Sequence, residues 1–402
     1  MILVTGPARS LVGGQSRHLD RLAMIATSLG CSLEHIEIGR RAGESRVGGT
    51  ALRLWRDYQQ VVIRLRQARR ARGVAPSLSI DDDAKSRGAG VALAAARRSE
   101  PLVLHVNSSV QYASLLRDIG FVVIGRLLGA DLVVAQIHGC ELDGPQDRRA
   151  PLRWLARLLA AVADRLVVLG RSQALAIGGA AAAALVVPNA VVLQEPVARS
   201  LRNGRPRELR VLYLARLIPE KGPLRCLEAV DLLRQRGVPL RLTIAGEGPL
   251  LQELRARVQA SGLDATVSVK GAVPPAQVRA LLAAHDLLWA PSMYAEGQPY
   301  ALLEALEAGL PALTCVPNAA MRELLDDCAG ALVAVAPDAQ ALARATAALA
   351  VDPAELQRLQ RLARQTAERR FAIEAVLPLW RAGWSLPPAA PLQPDPCIRT
   401  SS

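Results

Sequence analysis

Glu296 and Glu304 stand eight positions apart in the stretch His285–Pro311, HDLLWAPSMYAEGQPYALLEALEAGLP. Glu296 falls in a polar turn rich in Gly and Pro, and Glu304 in the Ala/Leu/Glu-rich segment that follows. A short apolar run, Leu287 to Ala290, leads into the turn, so the stretch reads as strand, loop and helix. Pro299 suits the first helical position, where a missing N–H does no harm. Leu302, Leu303 and Leu306 share one face at helical spacing, and Gly309-Leu310-Pro311 closes the helix. The first N–H groups of a helix and its positive dipole end form an anion site. Two carboxylates beside such a site suit hydroxyl recognition, which points to the sugar parts of a phosphorylated ligand.

Cations for such a ligand come earlier in the chain. The run Arg210 to Leu214 reads as a strand, and Arg216 and Lys221 lie in the loop after it. At the carboxyl end of a strand in an open α/β sheet, a guanidinium fork and an ammonium are placed to bind a diphosphate. The next strand ends at Ala245-Gly246-Glu247-Gly248, where Gly246 permits positive φ and a close approach of ligand to backbone. Another ends at Lys270-Gly271-Ala272-Val273. In the first half of the chain, Gly13 and Gly14 follow the opening strand, and His138 follows the strand Leu132–Ile137. His138 is a candidate for hydrogen-bonding a substrate hydroxyl.

Positioning these groups calls for alternating strands and helices, and the sequence supplies them twice. Residues 1–200 carry short β-type runs separated by helical patterns, 201–209 read as a linker, and 210–370 repeat the alternation. The reading is α/β, with two doubly wound, Rossmann-like domains facing a crevice. Residues 371–385 form a closing helix, and the Pro-rich segment 386–402 reads as a disordered tail.

The 402 residues suffice for two domains, and 51% apolar content with mean hydropathy +0.19 indicates a globular chain. Six cysteines at 31, 140, 226, 315, 328 and 397 show no metal-ligand spacing and read as reduced thiols, which suits a cytoplasmic protein. The start MILVTG has no secretory-signal pattern. The uncharged stretch Ser172 to Gln194 is broken by Gly178, Gly179, Pro188 and Asn189, so it reads as helix plus strand at a domain edge. A net charge of +13 favours anionic partners, but 3% aromatic content and the lack of finger or RNP-like runs exclude nucleic acid as the expected one. Residues 51–72 form a basic helix. Ala51, Leu54, Trp55, Tyr58, Val61, Val62 and Leu65 make its apolar face, and seven arginines carry its charge. Such a helix can lie on an anionic membrane surface or pack its apolar face on the first sheet with the arginines solvated.

The motifs VLYLARLIPEKG, LTIAGEGPL, VKGAVP and, above all, EGQPYALLEALEAGLP resemble those of the retaining glycosyltransferases of family 4, whose fold is GT-B. The last is that family's Glu-x7-Glu signature. The resemblance is close from Arg210 to about Ala345 and looser elsewhere, with VGGQSRHLDRLA, QIHG, DRLVVLGRS, VVPNAV and FAIEAVLPLW in support. It implies a nucleotide-diphosphate sugar as donor, such as a UDP- or GDP-sugar, a glycan or lipid-linked acceptor, and no metal or other cofactor. Arg216 and Lys221 would then hold the diphosphate, Glu304 the ribose, and Glu296 with the backbone of Gly297, Gln298, Pro299 and Tyr300 the donor sugar. Gly246, Val273 and Leu303 fall among the implied donor-binding positions, with Val273 at the base. Gly14 would approach the phosphates and His138 the transferred sugar. Bacterial surface polysaccharide synthesis, on the inner face of the cytoplasmic membrane, is the implied setting. Where many relatives have Phe and Gly this chain has Gln298 and Pro299, and Asn107 stands where some have a second histidine.

Two other readings stay open from the residues. Asp81-Asp82-Asp83, after Leu78-Ser79-Ile80, could hold a divalent metal on a nucleotide sugar as a GT-A-type enzyme does, which chelator would test. A sugar-nucleotide-binding scaffold without activity is the non-enzymatic alternative, although both glutamates and the Arg/Lys pair are intact.

Overall fold

The computed structural model describes residues 1–8, 14–39, 50–73, 101–139, 142, 149–196, 208–328 and 330–388. The Asp81–Asp83 run, Gly13 and most of the expected linker and tail lie outside the described residues. The strands are β1 (Ile2–Gly6), β2 (Leu33–Glu37), β3 (Val103–Ser109), β4 (Leu132–His138), β5 (Arg165–Val168) and β6 (Leu185–Val186) in the first half. In the second half they are β7 (Leu209–Leu214), β8 (Leu240–Ala245), β9 (Val267–Gly271), β10 (Leu287–Ala290), β11 (Ala312–Thr314) and β12 (Leu332–Ala334). The helices of the first half are α1 (Gly14–Ser28), α2 (Thr50–Gly73), α3 (Tyr112–Leu127), α4 (Ala150–Val162) and α5 (Arg171–Ile177). Those of the second are α6 (Pro223–Gln235), α7 (Leu251–Ala260), α8 (Pro275–Ala283), α9 (Tyr300–Glu307), α10 (Ala319–Asp327), α11 (Ala339–Val351), α12 (Pro353–Thr366) and α13 (Ile373–Gly383).

Among the described residues the strands form two six-stranded sheets, ordered β2-β1-β3-β4-β5-β6 and β12-β11-β10-β7-β8-β9, with parallel pairing throughout. Parallel strands covered on both faces are apolar along their whole length, and β1 is buried at all five positions. Helices α2, α3 and α4 cover one face of the first sheet through Val61, Leu65, Phe121 and Leu155. Helices α1 and α13 cover the other, where Trp380 and Trp384 pack against Ile2, Val4 and Leu22. Thus α13, the last described helix, sits on the first sheet. It follows a π-helical turn, Ala367–Phe371, and a bridge between Val191 and Ala372.

Each sheet reverses its order once, between β1 and β3 and between β7 and β10, and ligands of open α/β sheets bind beyond the strand ends at such a switch. The loops after β7 and β10 carry Arg216 and Glu296, and the segment after β1 leads into α1 at Gly14.

The stretch Ser172 to Gln194 folds as part of α5, a 3-10 turn and β6. No helix among the described residues is long and apolar enough to cross a membrane. Helix α2 differs from the expected face. The buried line is Asp57, Val61, Leu65 and Ala68, whereas Ala51, Leu54 and Trp55 are exposed. Asp57 takes an inward position because its carboxylate accepts the Gly39 N–H at 2.8 Å and lies beside Arg56.

Candidate active site

A cleft of about 1560 Å³ lies between the two sheets, and loops from both halves line it. Gly14, His138, Arg216, Lys221, Gly246, Val273, Glu296, Gly297, Gln298, Pro299 and Tyr300 all reach its wall. Leu303 and Glu304 do not. Leu303 is fully buried in the core of the second half, because it sits on the face of α9 turned to the sheet. Its side chain therefore packs in the core and does not face the cleft. Glu304 is ion-paired to Arg17 of α1, and Arg17 is the one of the two that lines the cleft.

The loop after β7 is held from below. Tyr213, buried in β7, shares its hydroxyl between the carbonyls of Arg216 at 3.2 Å and Lys221 at 3.3 Å. Lys221 ends a 3-10 turn closed by Gly222 at φ 71°, where a Cβ would meet the Pro291 carbonyl oxygen at 2.5 Å. Lys221 is only 6% exposed and is ion-paired with Glu296. Burial, reinforced by the Arg216 guanidinium, pulls its ammonium down to about 7, while the Glu296 carboxylate opposes that fall. Arg216 and Lys221 lie over the ring of Tyr294, at 5.1 and 4.9 Å from its centroid. Asn318 caps α10 through Met321 N–H and donates to the carbonyl of Glu296 at 3.0 Å, fixing that loop.

Helix α9 begins at Tyr300, so Pro299 is its N-cap, not its first helical residue, with φ −65° and ψ 124°. The carbonyl of Pro299 accepts from Leu302 and Leu303. The N–H groups of Tyr300 and Ala301 have no partner among the described residues and stand at the cleft wall. Gly246, at the cleft wall, has a structural reason of its own. At φ 148°, a Cβ there would lie 1.8 Å from the Ala215 carbonyl oxygen, so the neighbouring loop requires the glycine.

The side chain of Gln298 serves a different purpose from the backbone contact expected there. It accepts the Asn189 N–H at 2.8 Å and donates to the Leu169 carbonyl at 3.0 Å, tying the α9 loop to the first half. Glu323 of α10 makes a second tie, accepting from Arg171 N–H, Ser172 N–H and the Ser172 hydroxyl at 2.6–2.8 Å. Burial alone would raise the Glu323 carboxyl, but these donors at the start of α5 hold it below its ordinary value.

Behind the cleft lies a histidine network. Trp384 can only donate, so its Nε1 fixes His105 Nδ1 as an acceptor at 3.1 Å and leaves the proton on Nε2. Gln136 Oε1 then accepts from His105 Nε2 at 3.1 Å and from His18 Nε2 at 2.8 Å. His18 Nδ1 accepts from the Tyr300 hydroxyl at 3.2 Å. Burial drives His18 down to about 4 and His105 to about 3, so both are neutral near pH 7. Asn107 gives its amide N–H to the Thr5 carbonyl and presents its oxygen to His138 Nε2 at 3.1 Å. His138 is likewise neutral, chiefly from burial, and its Nδ1 is an acceptor without a partner among the described residues. Arg17, His18, Gln136, Asn189 and Tyr294 are the participants that pattern reading missed. Tyr294 had a signal, two positions before Glu296, but the others have partners far away in sequence.

Residues 201–366 match the family described as Glycosyl transferases group 1. The amylovoran biosynthesis glycosyltransferase AmsK of Erwinia amylovora is 31% identical over 176 residues, 42% of this chain and 43% of that protein. Over this stretch the chain is similar to the group 1 glycosyl transferases. A further relative, the GDP-mannose-dependent alpha-(1-6)-phosphatidylinositol dimannoside mannosyltransferase of Mycobacterium tuberculosis, is 32% identical over 40% of each chain. The matches thus span under half the length of these curated relatives of the family. The structure of Anabaena Alr3699/HepE in complex with UDP and glucose is similar across 96% of this chain and 99% of that one, with TM-score 0.65 and 15% identity. The two facing domains are those of the GT-B fold.

Proposed function

We propose that the chain transfers a sugar with retention from a nucleoside diphosphate donor to a glycan or lipid-linked acceptor in surface polysaccharide or glycoconjugate synthesis. The observation that carries this reading is the convergence of Arg216, Lys221, Glu296 and the open N-terminus of α9 on one interdomain cleft. In the reaction the bond from the anomeric carbon to the diphosphate breaks and the acceptor hydroxyl oxygen forms the new bond. The acceptor proton leaves with the diphosphate. Negative charge grows on the departing phosphate, where Arg216, Lys221 and the Tyr300 and Ala301 N–H groups provide preorganised stabilisation. Glu296 takes sugar hydroxyls, Glu304 the ribose, Val273 the base, and His138 Nδ1 a further sugar hydroxyl. A thermal-shift screen of UDP- and GDP-sugars tests the reading, since a selective donor raises Tm in proportion to binding. Transfer from that donor is expected to fall by about a hundredfold or more in Arg216→Ala, and an unchanged rate there would overturn the assignment.

Acceptors held in an anionic membrane fit the outer surface of the first half. Helix α3 exposes Tyr112, Leu116, Val123 and Leu127, spaced four, seven and four apart and so within a stripe of about 60°. The adjoining α2 exposes Leu52, Trp55 and Ile63, followed by the arginines Arg66 and Arg70. Gln111, just before α3, lines the cleft, so the stripe starts at its mouth. Sedimentation with anionic vesicles at low salt, lost at high salt, in neutral vesicles and in Trp55→Ala with Leu116→Ala, is the expected outcome. Equal binding to neutral vesicles, or none to anionic ones, would remove the membrane from the reading.

A further inference from the structure

Both signature glutamates are held by cations that a diphosphate also needs. Lys221 holds Glu296 from within the second half, and Arg17 holds Glu304 from across the cleft. Arg17 lies one turn into α1, at the helix end that faces the cleft, and stands between the cleft and the Glu304 carboxylate. Glu304 is mostly buried, and that burial raises its carboxyl above the ordinary value against the pull of Arg17, so the carboxylate is anchored chiefly by this one partner.

We infer that Arg17 is a third phosphate-binding cation and the gate to Glu304. A ribose hydroxyl and the Arg17 guanidinium need the same carboxylate oxygens, so the ribose can be seated only when Arg17 swings away. The diphosphate supplies the place it swings to, because its charge is in the cleft that Arg17 already lines. Phosphate binding therefore frees the carboxylate that receives the ribose, and the two parts of one ligand bind cooperatively. A nucleoside alone offers Arg17 no new partner and must break the ion pair without compensation. The guanidinium belongs to the first half and the carboxylate to the second, so the same transfer links nucleotide binding to how the two halves meet.

The inference rests on the proposed nucleotide-sugar reading, and calorimetric titration separates the two. UDP with uridine, and GDP with guanosine, are titrated into the wild type, Arg17→Met, Arg17→Lys and Glu304→Gln, with Tm recorded for each. The preference of the wild type for the diphosphate over its nucleoside is expected to fall at least tenfold in Arg17→Met. That fall should come from weaker diphosphate binding together with tighter nucleoside binding. Arg17→Lys should keep most of the preference. Glu304→Gln, which leaves Arg17 without its carboxylate, should keep the diphosphate and lose the advantage of the ribose over 2′-deoxyribose. A parallel loss of both ligands in Arg17→Met would show an interdomain strut only and overturn the gate. A wild type that binds neither diphosphate would overturn the nucleotide-sugar reading itself.

Discussion

At the residue scale the cleft works through charges held below their usual strength. Lys221 loses its proton from about pH 7 upward in the free protein, because burial and Arg216 favour the neutral amine. A bound diphosphate favours the ammonium, so kcat/KM for donor should fall above pH 7 while kcat stays flat to higher pH. Lys221→Arg, which stays charged, should remove that alkaline fall. Identical alkaline limbs in the two proteins would show that Lys221 is not the titrating group. Glu296 and the Arg216/Lys221 pair were legible in the sequence because several successive strand-end loops, read together with the Glu-x7-Glu spacing, point to one crevice. The Arg17–Glu304 pair was not, since its members lie 287 positions apart and only the facing of two domains brings them together.

At the element scale the sheet order decides which loops meet. The reversal between β7 and β10 puts the Arg216 and Glu296 loops side by side. Alternation of apolar runs and helical patterns was enough to foresee the strands, but the same periodicity misjudged α2. There, a buried Asp57 faces inward and Trp55 outward, and an amphipathic count cannot tell an aspartate that finds a backbone donor from one in water. The Leu303 side chain was hard to place for the converse reason. One turn of a binding helix has both a ligand end and a core face, and the residue falls on the second. Gly246→Ala should be destabilising by about 2 kcal/mol or more, from the clash with the Ala215 carbonyl and the unfavourable φ, and is read as a lower Tm. A stable, fully folded Gly246→Ala would contradict that packing.

At the scale of the whole molecule the two halves are tied by polar side chains. Gln298 reaches Asn189 and Leu169, Glu323 caps the start of α5, and Tyr300 donates to His18. Removing both ties in Gln298→Ala with Glu323→Ala should increase the radius of gyration in solution scattering and raise donor KM more than it lowers kcat. An unchanged radius and KM would show that the ties are incidental. The neutral histidines add a pH dependence to stability. His18 and His105 hold their folded values near 4 and 3, whereas the unfolded groups take up protons near 6.5. Between those values the unfolded chain binds more protons, so stability is intact above about pH 6.5 and falls as pH drops, by about 1.4 kcal/mol per pH unit for each group. Thermal denaturation from pH 7.5 to 5 should show a falling Tm, and a level profile would contradict neutral burial.

In the proposed reaction Arg216 acts on the phosphate of a leaving nucleoside diphosphate at this cleft. The most direct measurement is single-turnover sugar transfer from the donor that stabilises the protein, with the wild type beside Arg216→Ala. The substitution is expected to lower the rate of bond cleavage at saturating donor by about a hundredfold or more, the scale set by losing one transition-state charge partner. An equal single-turnover rate with only a higher donor KM would contradict that role, because Arg216 would then bind the ground state alone.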